Sequence, residues 1–363
     1  MRILQLIDTL NPGGAERMAV NLANSFDELG ITNILVVSRL DGLLSDLVRR
    51  QETLVFLGKK NTFDLSAFQK LKKIVTDFKP DIIHAHGTSI YWGVGLKLLK
   101  PKLKLIWHDH LGVSEDVVKN NPRKELDWMK SRIDFVVTAD ESTSNYWLHR
   151  KLKSLNQIKY LSNFPHLTLG KKQVSEKYRF LHLANYRQEK GHFHILDAVK
   201  RLKSSNLSFH VRMVGAAIEP DWKRQVEEAV ANEELNEWIT VDGPTADTSR
   251  VIAEADAGLV ASDREGLPVA LLEYGLAGLP VISTKVGQCS KVLEDGEYGI
   301  LIDKGDSEAL SKAMLNLIQN PEKGKAKGDS FKIHVADHYG FKEFYKGYQE
   351  ILMNLGIEQT SND

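Results

Sequence analysis

Twelve short apolar runs, separated by stretches of helical periodicity, constrain this chain of 363 residues more than any other feature. The first six are ILQLI (3–7), NILVVS (33–38), LVFL (54–57), DIIHAH (81–86), KLIWH (104–108) and DFVVTA (134–139). Near-continuous apolar character marks strands covered on both faces. Between them, SAFQKLKKIVTDF (66–78) sets Phe68, Leu71, Ile74, Val75 and Phe78 on one helical stripe with lysines opposite. Strand–helix repetition of this kind specifies a parallel α/β sheet. The pattern pauses at the polar stretch TLGKKQVSEKY (168–178), then restarts with runs at 180–184, 208–215, 238–243, 257–262, 280–284 and 299–303. We expect two doubly wound Rossmann-like domains of about six strands each, facing across a cleft. The first spans 1–170 and the second 171–340. In 341–363, a helix near 341–355 crosses back onto the first domain and a frayed tail follows Gly356. Ligands of such folds bind outside the carboxyl ends of the strands.

Composition narrows the classes. Lys plus Arg and Asp plus Glu each number 48, so formal charge is zero, and no nucleic-acid partner is expected. Residues 1–170 hold 24 basic against 18 acidic side chains, a surplus of six, and the remainder carries the opposite balance. A single cysteine, Cys289, excludes an internal disulfide framework and points to a reducing, cytoplasmic setting. No apolar run reaches transmembrane length, and MRILQLIDTL reads as a first strand rather than a signal peptide.

The stretch DREGLPVALLEYGLAGLP (263–280) carries the most chemistry. Pro268 suits the first helical position, and Gly278 and Pro280 stop the helix. Glu265 then lies on the loop before the helix and Glu273 inside it. The N–H groups of the first turn lie between, a site that favours phosphate. Carboxylates accept hydrogen bonds from hydroxyls, so the pattern fits a ligand with phosphate at its centre and hydroxyl-rich rings on both sides. A solvated loop Glu with a capping Glu is the structural alternative. Elsewhere, Gly13 and Gly14 follow the first strand, and Ala15 opens a helix. They form neither a dinucleotide fingerprint nor a P-loop, yet allow close backbone approach or a tight turn. Arg187 and Lys190 follow the seventh run and suit a diphosphate, or a solvated turn. The pairs in HAH (84–86) and HDH (108–110) permit a metal site or structural histidines. No third ligand cluster stands out, so no metal is expected. Cys289 has no catalytic partner and reads as a packed thiol.

Taken in order, the Gly-Gly loop, DIIHAHG, the His-ending strand, IKYLSNFP, ANYRQEKGH and the 254–303 segment around E-x7-E resemble the retaining glycosyltransferases of family 4, also called group 1, with the GT-B fold. The resemblance covers nearly the whole chain. It implies transfer of a hexosyl or N-acetylhexosaminyl group from a nucleoside diphosphate sugar, UDP first and GDP next. The acceptor would be a saccharide or lipid-linked saccharide in cell-surface polysaccharide or lipopolysaccharide synthesis. By the same resemblance Glu273 binds ribose hydroxyls and Glu265 lies by the donor sugar. Gly266, Leu267, Pro268, Val269 and Ala270 line the sugar and phosphate, Lys190 binds phosphate, and Gly13 and Gly14 close on the phosphate and acceptor side. One histidine at the end of the fifth strand, His110 in preference to His108, approaches the donor sugar. Three positions depart from the family: Asn185 stands where an Arg is usual, with Arg187 as a substitute; Gln288 follows Gly287 in place of a second Gly; and Phe164 follows Asn163 in place of Gly. Transfer is expected without a metal, by front-side attack, on a cytoplasmic protein that contacts the inner membrane face through its basic first half. The alternatives are an epimerase of the same fold, a metal-dependent hydrolase using the HAH and HDH pairs, or a catalytically silent scaffold.

Overall fold

The computed structural model describes residues 1–39, 41–61, 63–110, 123–167, 170, 175–205 and 207–357. Much of the polar stretch 168–178, and the tail beyond Ile357, lie outside the described residues. The chain forms two compact units, one of Met1–Phe164 with Phe341–Asp363 and one of Pro165–Gly340.

The N-terminal unit holds a parallel sheet of β1 (Arg2–Ile7), β2 (Thr32–Val37), β3 (Leu54–Phe56), β4 (Ile82–His86), β5 (Lys104–Asp109), β6 (Phe135–Thr138) and β7 (Ile158–Tyr160). Their order is β3-β2-β1-β4-β5-β6-β7. The C-terminal unit holds β8 (Tyr178–Leu183), β9 (Phe209–Val214), β10 (Ile239–Asp242), β11 (Ala257–Val260), β12 (Val281–Thr284) and β13 (Ile300–Ile302), ordered β10-β9-β8-β11-β12-β13. β7 is the strand that periodicity did not announce. It is three residues long, and only Ile158 of it is buried, so it offers too few apolar positions for a pattern.

Both sheets are buried on both faces. In the first, Leu4, Leu6, Ile83, Ala85, Leu105 and Trp107 point to one helical layer. Ile3, Ile82, Ile106, Phe135 and Val137 point to the other, against Met18, Leu22 and Phe26 of the helix Gly14–Glu28. The second layer is completed from the far end of the sequence. The helix Phe341–Asn354 buries Phe344, Tyr348, Ile351 and Leu352 there. Full burial of each such side chain contributes about 1.5–3 kcal/mol, which explains why the last helix leaves the second unit for the first. Phe164, at the family's Gly position, packs edge-tilted on Phe341 and Phe344 with ring centroids at 5.1 Å. A glycine there would forfeit that contact.

Candidate functional site

A doubly wound sheet opens where its strand order reverses. In the C-terminal unit that point is β8, with β9 on one side and β11 on the other. The loops leaving β8 and β11 therefore meet, and they carry the expected residues. Gly191 closes the first loop with φ +71°, and a Cβ there would land on the carbonyl oxygen of Ala261. Asp263 N–H donates to the Glu189 carbonyl at 2.8 Å. These contacts bring Lys190 to Glu265. Lys190 Nζ donates to both carboxylate oxygens, at 2.8 and 2.7 Å, and Ser262 Oγ donates to Oε1 at 2.6 Å. The two side chains are only 21% and 11% exposed. Two residues expected to grip different parts of a ligand thus hold each other in this protein.

The helix after Glu265 runs Val269–Leu276. Pro268 is its cap, with extended backbone (φ −71°, ψ 118°), rather than its first helical residue. The Pro ring sets φ equally well for either place, but ψ decides which it takes. Gly278 ends the helix in the left-handed region, as expected, with its N–H on the Gly275 carbonyl. The first-turn N–H groups of Val269 and Ala270 precede any intrahelical acceptor. Gly266 faces open space, and a Cβ there would meet nothing within 4 Å. The preceding turn is braced from behind. Gly287, at φ +53°, leaves no room for a Cβ, which would lie 2.3 and 2.4 Å from the Glu265 and Gly266 carbonyl oxygens, and Gln288 N–H donates to Gly266 O at 2.9 Å. Only the first glycine of the family's pair is needed for this contact. Glu273 is 3% exposed and takes Thr248 Oγ1 at 3.4 Å.

Arg187 caps the short turn Gln188–Lys190, 45% exposed and 3.8 Å from Glu189. Asn185 accepts Ala216 N–H at 3.0 Å, tying the β8 loop to the β9 loop. It therefore has a structural task that an Arg could not perform. Beneath the loops, burial pushes His182 down to about 4 and His192 to about 2. Cys289 is fully buried and its thiol is pushed up to about 11 by burial, so it is inert.

In the N-terminal unit the order reverses at β1, between β2 and β4. Gly13 is extended (φ −168°), and Gly14 opens the helix, one residue earlier than expected. Neither glycine has a positive φ, and a Cβ on Gly13 would lie 2.3 Å from Glu16 Oε2. Gly14 faces open space. Beside them, Asp8 accepts Ser38 Oγ and Thr88 Oγ1 at 2.5 Å and Lys59 Nζ at 3.4 Å. Burial works to raise its pKa, but these donors outweigh it and hold the carboxyl below its ordinary value. Glu16, in the first turn, is raised, chiefly by burial.

His84, His86, His108 and His110 sit side by side because β4 and β5 pair with His86 opposite His108. His84 Nε2 meets His108 Nδ1 at 3.2 Å, and His86 Nδ1 meets His110 Nε2 at 3.0 Å. Outward, His84 Nδ1 meets Tyr348 OH, and His86 Nε2 meets the Gln5 amide, each at 3.1 Å. His84 and His110 are pushed down to about 3 by burial, and His86 and His108 lie well below their ordinary value for the same reason first. All four are neutral imidazoles at neutral pH. Asp109, fully buried between His108 and His110, accepts Arg123 Nη1 at 3.0 Å and Trp147 Nε1 at 2.8 Å.

Comparison with known proteins now decides the family. Residues 12–164 match the glycosyltransferase family 4 model and residues 170–329 match that of the glycosyl transferases group 1. The chain belongs to the family 4, or group 1, glycosyltransferases. A relative named as an amylovoran biosynthesis glycosyltransferase of Erwinia amylovora is 31% identical over 149 residues, 39% of this chain and 36% of that one. A relative named N-acetyl-alpha-D-glucosaminyl L-malate synthase of Bacillus anthracis is 21% identical over 309 residues, 81% of this chain and 80% of that one. The matches to the amylovoran relative and to a colanic acid relative of Salmonella typhimurium span only about a third of those proteins, 36% and 33%. The Anabaena protein HepE, solved with UDP and glucose, superposes with a TM-score of 0.81 at 18% identity, covering 97% of this chain and 99% of that one. The fold is therefore GT-B. With the family known and His84, His86 and His108 at most 1% exposed, the metal-dependent hydrolase alternative is set aside. In this glycosyltransferase, Lys190, Glu265, Gly266–Ala270 and Glu273 share one end of the second sheet, while Gly13, Gly14 and His110 share the corresponding end of the first. Reading the sequence missed Thr248, Asp8, Thr88 and Tyr348, single polar residues whose partners lie far away in the chain and which no local pattern marks. Among the described residues no helix is long and apolar enough to cross a membrane.

Proposed function

We propose that this glycosyltransferase moves a hexosyl or N-acetylhexosaminyl group from a nucleoside diphosphate sugar, UDP before GDP, with retention at the anomeric carbon. The observation that carries the proposal is the end of the C-terminal sheet, where a lysine, a carboxylate and a helix N-terminus meet across two loops, with Glu273 inside that helix. Solved relatives named with UDP and with UDP-glucose support the donor class. We assign ribose hydroxyls to Glu273, donor-sugar hydroxyls to Glu265 with Gly266 and Leu267, and the diphosphate to Lys190, Arg187 and the N–H groups of Val269 and Ala270, capped by Pro268.

The chemistry follows from charge. As the glycosidic bond breaks, charge grows on the departing diphosphate, and donors aimed at that charge lower the barrier. Lys190 and Arg187 supply it, so no metal is assigned to the transfer. In this reading Lys190 exchanges Glu265 for the diphosphate, which frees Glu265 for the sugar at the same moment. We assign to His110, neutral and held by His86, the face of the donor sugar, and to Gly13 and Gly14 close approach on the phosphate and acceptor side. The acceptor hydroxyl attacks on the face the diphosphate leaves and gives it the proton. The acceptor is a saccharide or lipid-linked saccharide of a surface polysaccharide. The names of the amylovoran and colanic acid relatives support this, and lysines of the N-terminal unit would meet anionic lipid at the inner membrane face. The test is the anomeric configuration of the product, read by proton coupling in NMR, with mass spectrometry of the quenched enzyme. Retention without a glycosyl–Glu265 adduct is expected. Inversion, or a covalent adduct, would contradict the mechanism, and sugar epimerised without acceptor would replace the reaction.

A further inference from the structure

The proposed transfer uses only His110 of the histidines at the ends of β4 and β5. Behind it runs a row of contacts: Gln5 on β1, His86 on β4 and His110 just past β5. The strand order β1-β4-β5 lays the three side by side. Gln5 and His86 are buried, and His110 is half-buried. His86 Nε2 lies 3.1 Å from the Gln5 amide, and His86 Nδ1 lies 3.0 Å from His110 Nε2. Burial keeps both rings neutral at neutral pH.

A hydrogen-bonded row of neutral imidazoles has a direction, because each ring carries one proton. The member of the row that cannot turn over sets that direction. Gln5 is that member, since the helix Gly14–Glu28 fixes its amide. The NH2 donates to the Ala19 carbonyl at 3.2 Å, and the oxygen accepts the Ala23 N–H at 3.1 Å. Turned over, the oxygen would face the carbonyl and the NH2 would face the N–H. The same NH2 lies 3.1 Å from His86 Nε2 and donates to it. His86 Nε2 is therefore bare, and its ring proton is on Nδ1. That proton is given to His110 Nε2, so the proton of His110 sits on its own Nδ1. This Nδ1 is shielded from water and has no partner among the described residues. The tautomer is imposed from outside the ring, as the bond made by one imidazole nitrogen decides the state of the other. The row thus ends in an N–H without an acceptor, at the carboxyl end of the sheet, where ligands of such folds bind.

We propose that Gln5 is a positioning residue for the transfer: through His86 it fixes His110 as an Nδ1–H donor, which gives its hydrogen bond to an oxygen of the donor sugar and takes no proton from the acceptor. The proposal rests on the assignment of His110 to the donor sugar made above, whereas the tautomer does not. It agrees with a reaction in which the departing diphosphate receives the acceptor's proton, because His110 is then needed as a donor and not as a base.

The test reads the tautomers directly. The full chain, with isotopically labelled histidine, is examined by long-range proton–nitrogen correlation, and His86→Gln and His110→Gln assign the two rings. Ligand-free wild type should show both rings protonated at Nδ1 and bare at Nε2. A UDP-sugar added without acceptor should move the His110 Nδ1 proton downfield, and UDP alone should leave it in place. Gln5→Met keeps the length of the side chain and removes the NH2. It should populate both tautomers of His110 and lower kcat/KM for the donor by about 5-fold or more, with UDP bound as by wild type. A Gln5 of merely structural importance would lower the melting temperature and leave the tautomers and kcat/KM unchanged, and that result would overturn the proposal. So would a proton on Nε2 of either ring in wild type, which decides alone should Gln5→Met not fold. Wild type that turns over no nucleoside diphosphate sugar would instead refute the reading of the donor, and the ligand-free spectrum keeps the two failures apart.

Discussion

Replacing Glu265 by Gln should make the enzyme bind nucleoside diphosphate better while it loses turnover. Lys190 donates twice to Glu265 at 2.8 and 2.7 Å, in a site where the carboxylate is 11% exposed. A hydrogen bond to a charged group is worth about 1.5–3 kcal/mol. In the proposed exchange, an incoming diphosphate displaces that partner as it gains Lys190. An amide keeps one acceptor oxygen for Lys190 or Ser262 but removes the charge. The displacement becomes cheaper by about 0.7–1.4 kcal/mol, so UDP should bind about 3- to 10-fold more tightly. Stability in the absence of ligand should fall by about 1–2 kcal/mol, because Lys190 is left partly buried with a weaker partner. Turnover should fall by about a hundredfold or more, since the sugar loses its carboxylate ligand. Lys190→Met should do the opposite to binding, weakening UDP by at least about 10-fold. Isothermal titration of wild type and both variants with UDP, with denaturant melts alongside, measures all of this. If Glu265→Gln weakens UDP as much as Lys190→Met does, Glu265 is no competitor for the lysine and the exchange of partners is wrong.

Gly287→Ala should leave the fold intact and abolish donor binding. Its φ of +53° and the Glu265 and Gly266 carbonyls behind it leave no room for a methyl group, so the 265–266 turn must move; circular dichroism and UDP titration separate the two effects. Asp109→Ala should cost about 3–5 kcal/mol in a denaturant melt, because it removes the carboxylate paired with the buried Arg123; a loss below about 1 kcal/mol would show that the pair is not what holds the end of β5. His182 and His192, pushed down to about 4 and about 2, titrate near 6.5 when unfolded. Below that pH the unfolded chain binds more protons, so stability is whole above pH 6.5 and declines as pH falls, by up to about 1.4 kcal/mol per unit for each histidine. His192→Phe should flatten that decline by one proton, and an unchanged slope would refute the assignment.

The fold was legible because parallel strands buried on both faces leave long apolar runs, and twelve of the thirteen strands among the described residues have them. β7 escaped because one buried residue makes no pattern. Local structure around the candidate site was legible where one loop and one helix make it, as in Glu265–Pro268–Glu273, with Glu265 before the helix and Glu273 inside it. It was not legible where two loops must be brought together. Nothing local says that Lys190 lies on Glu265, since that contact follows from strand order and from Gly191 lying against Ala261. The same holds for the histidines. HAH and HDH read as two pairs, and only the register of β4 on β5, with Tyr348 from 264 residues away, makes them one cluster.

The central claim is that the second sheet's end binds a nucleoside diphosphate sugar, with Glu273 on the ribose. A thermal-shift panel of UDP-, GDP- and ADP-sugars on wild type and Glu273→Ala tests it most directly, because a ligand that binds only the folded state raises the melting temperature by mass action. The account predicts a rise with one base, UDP before the others, that is unchanged by chelator and absent in the variant. A rise that survives Glu273→Ala, or no rise with any nucleotide, would contradict it.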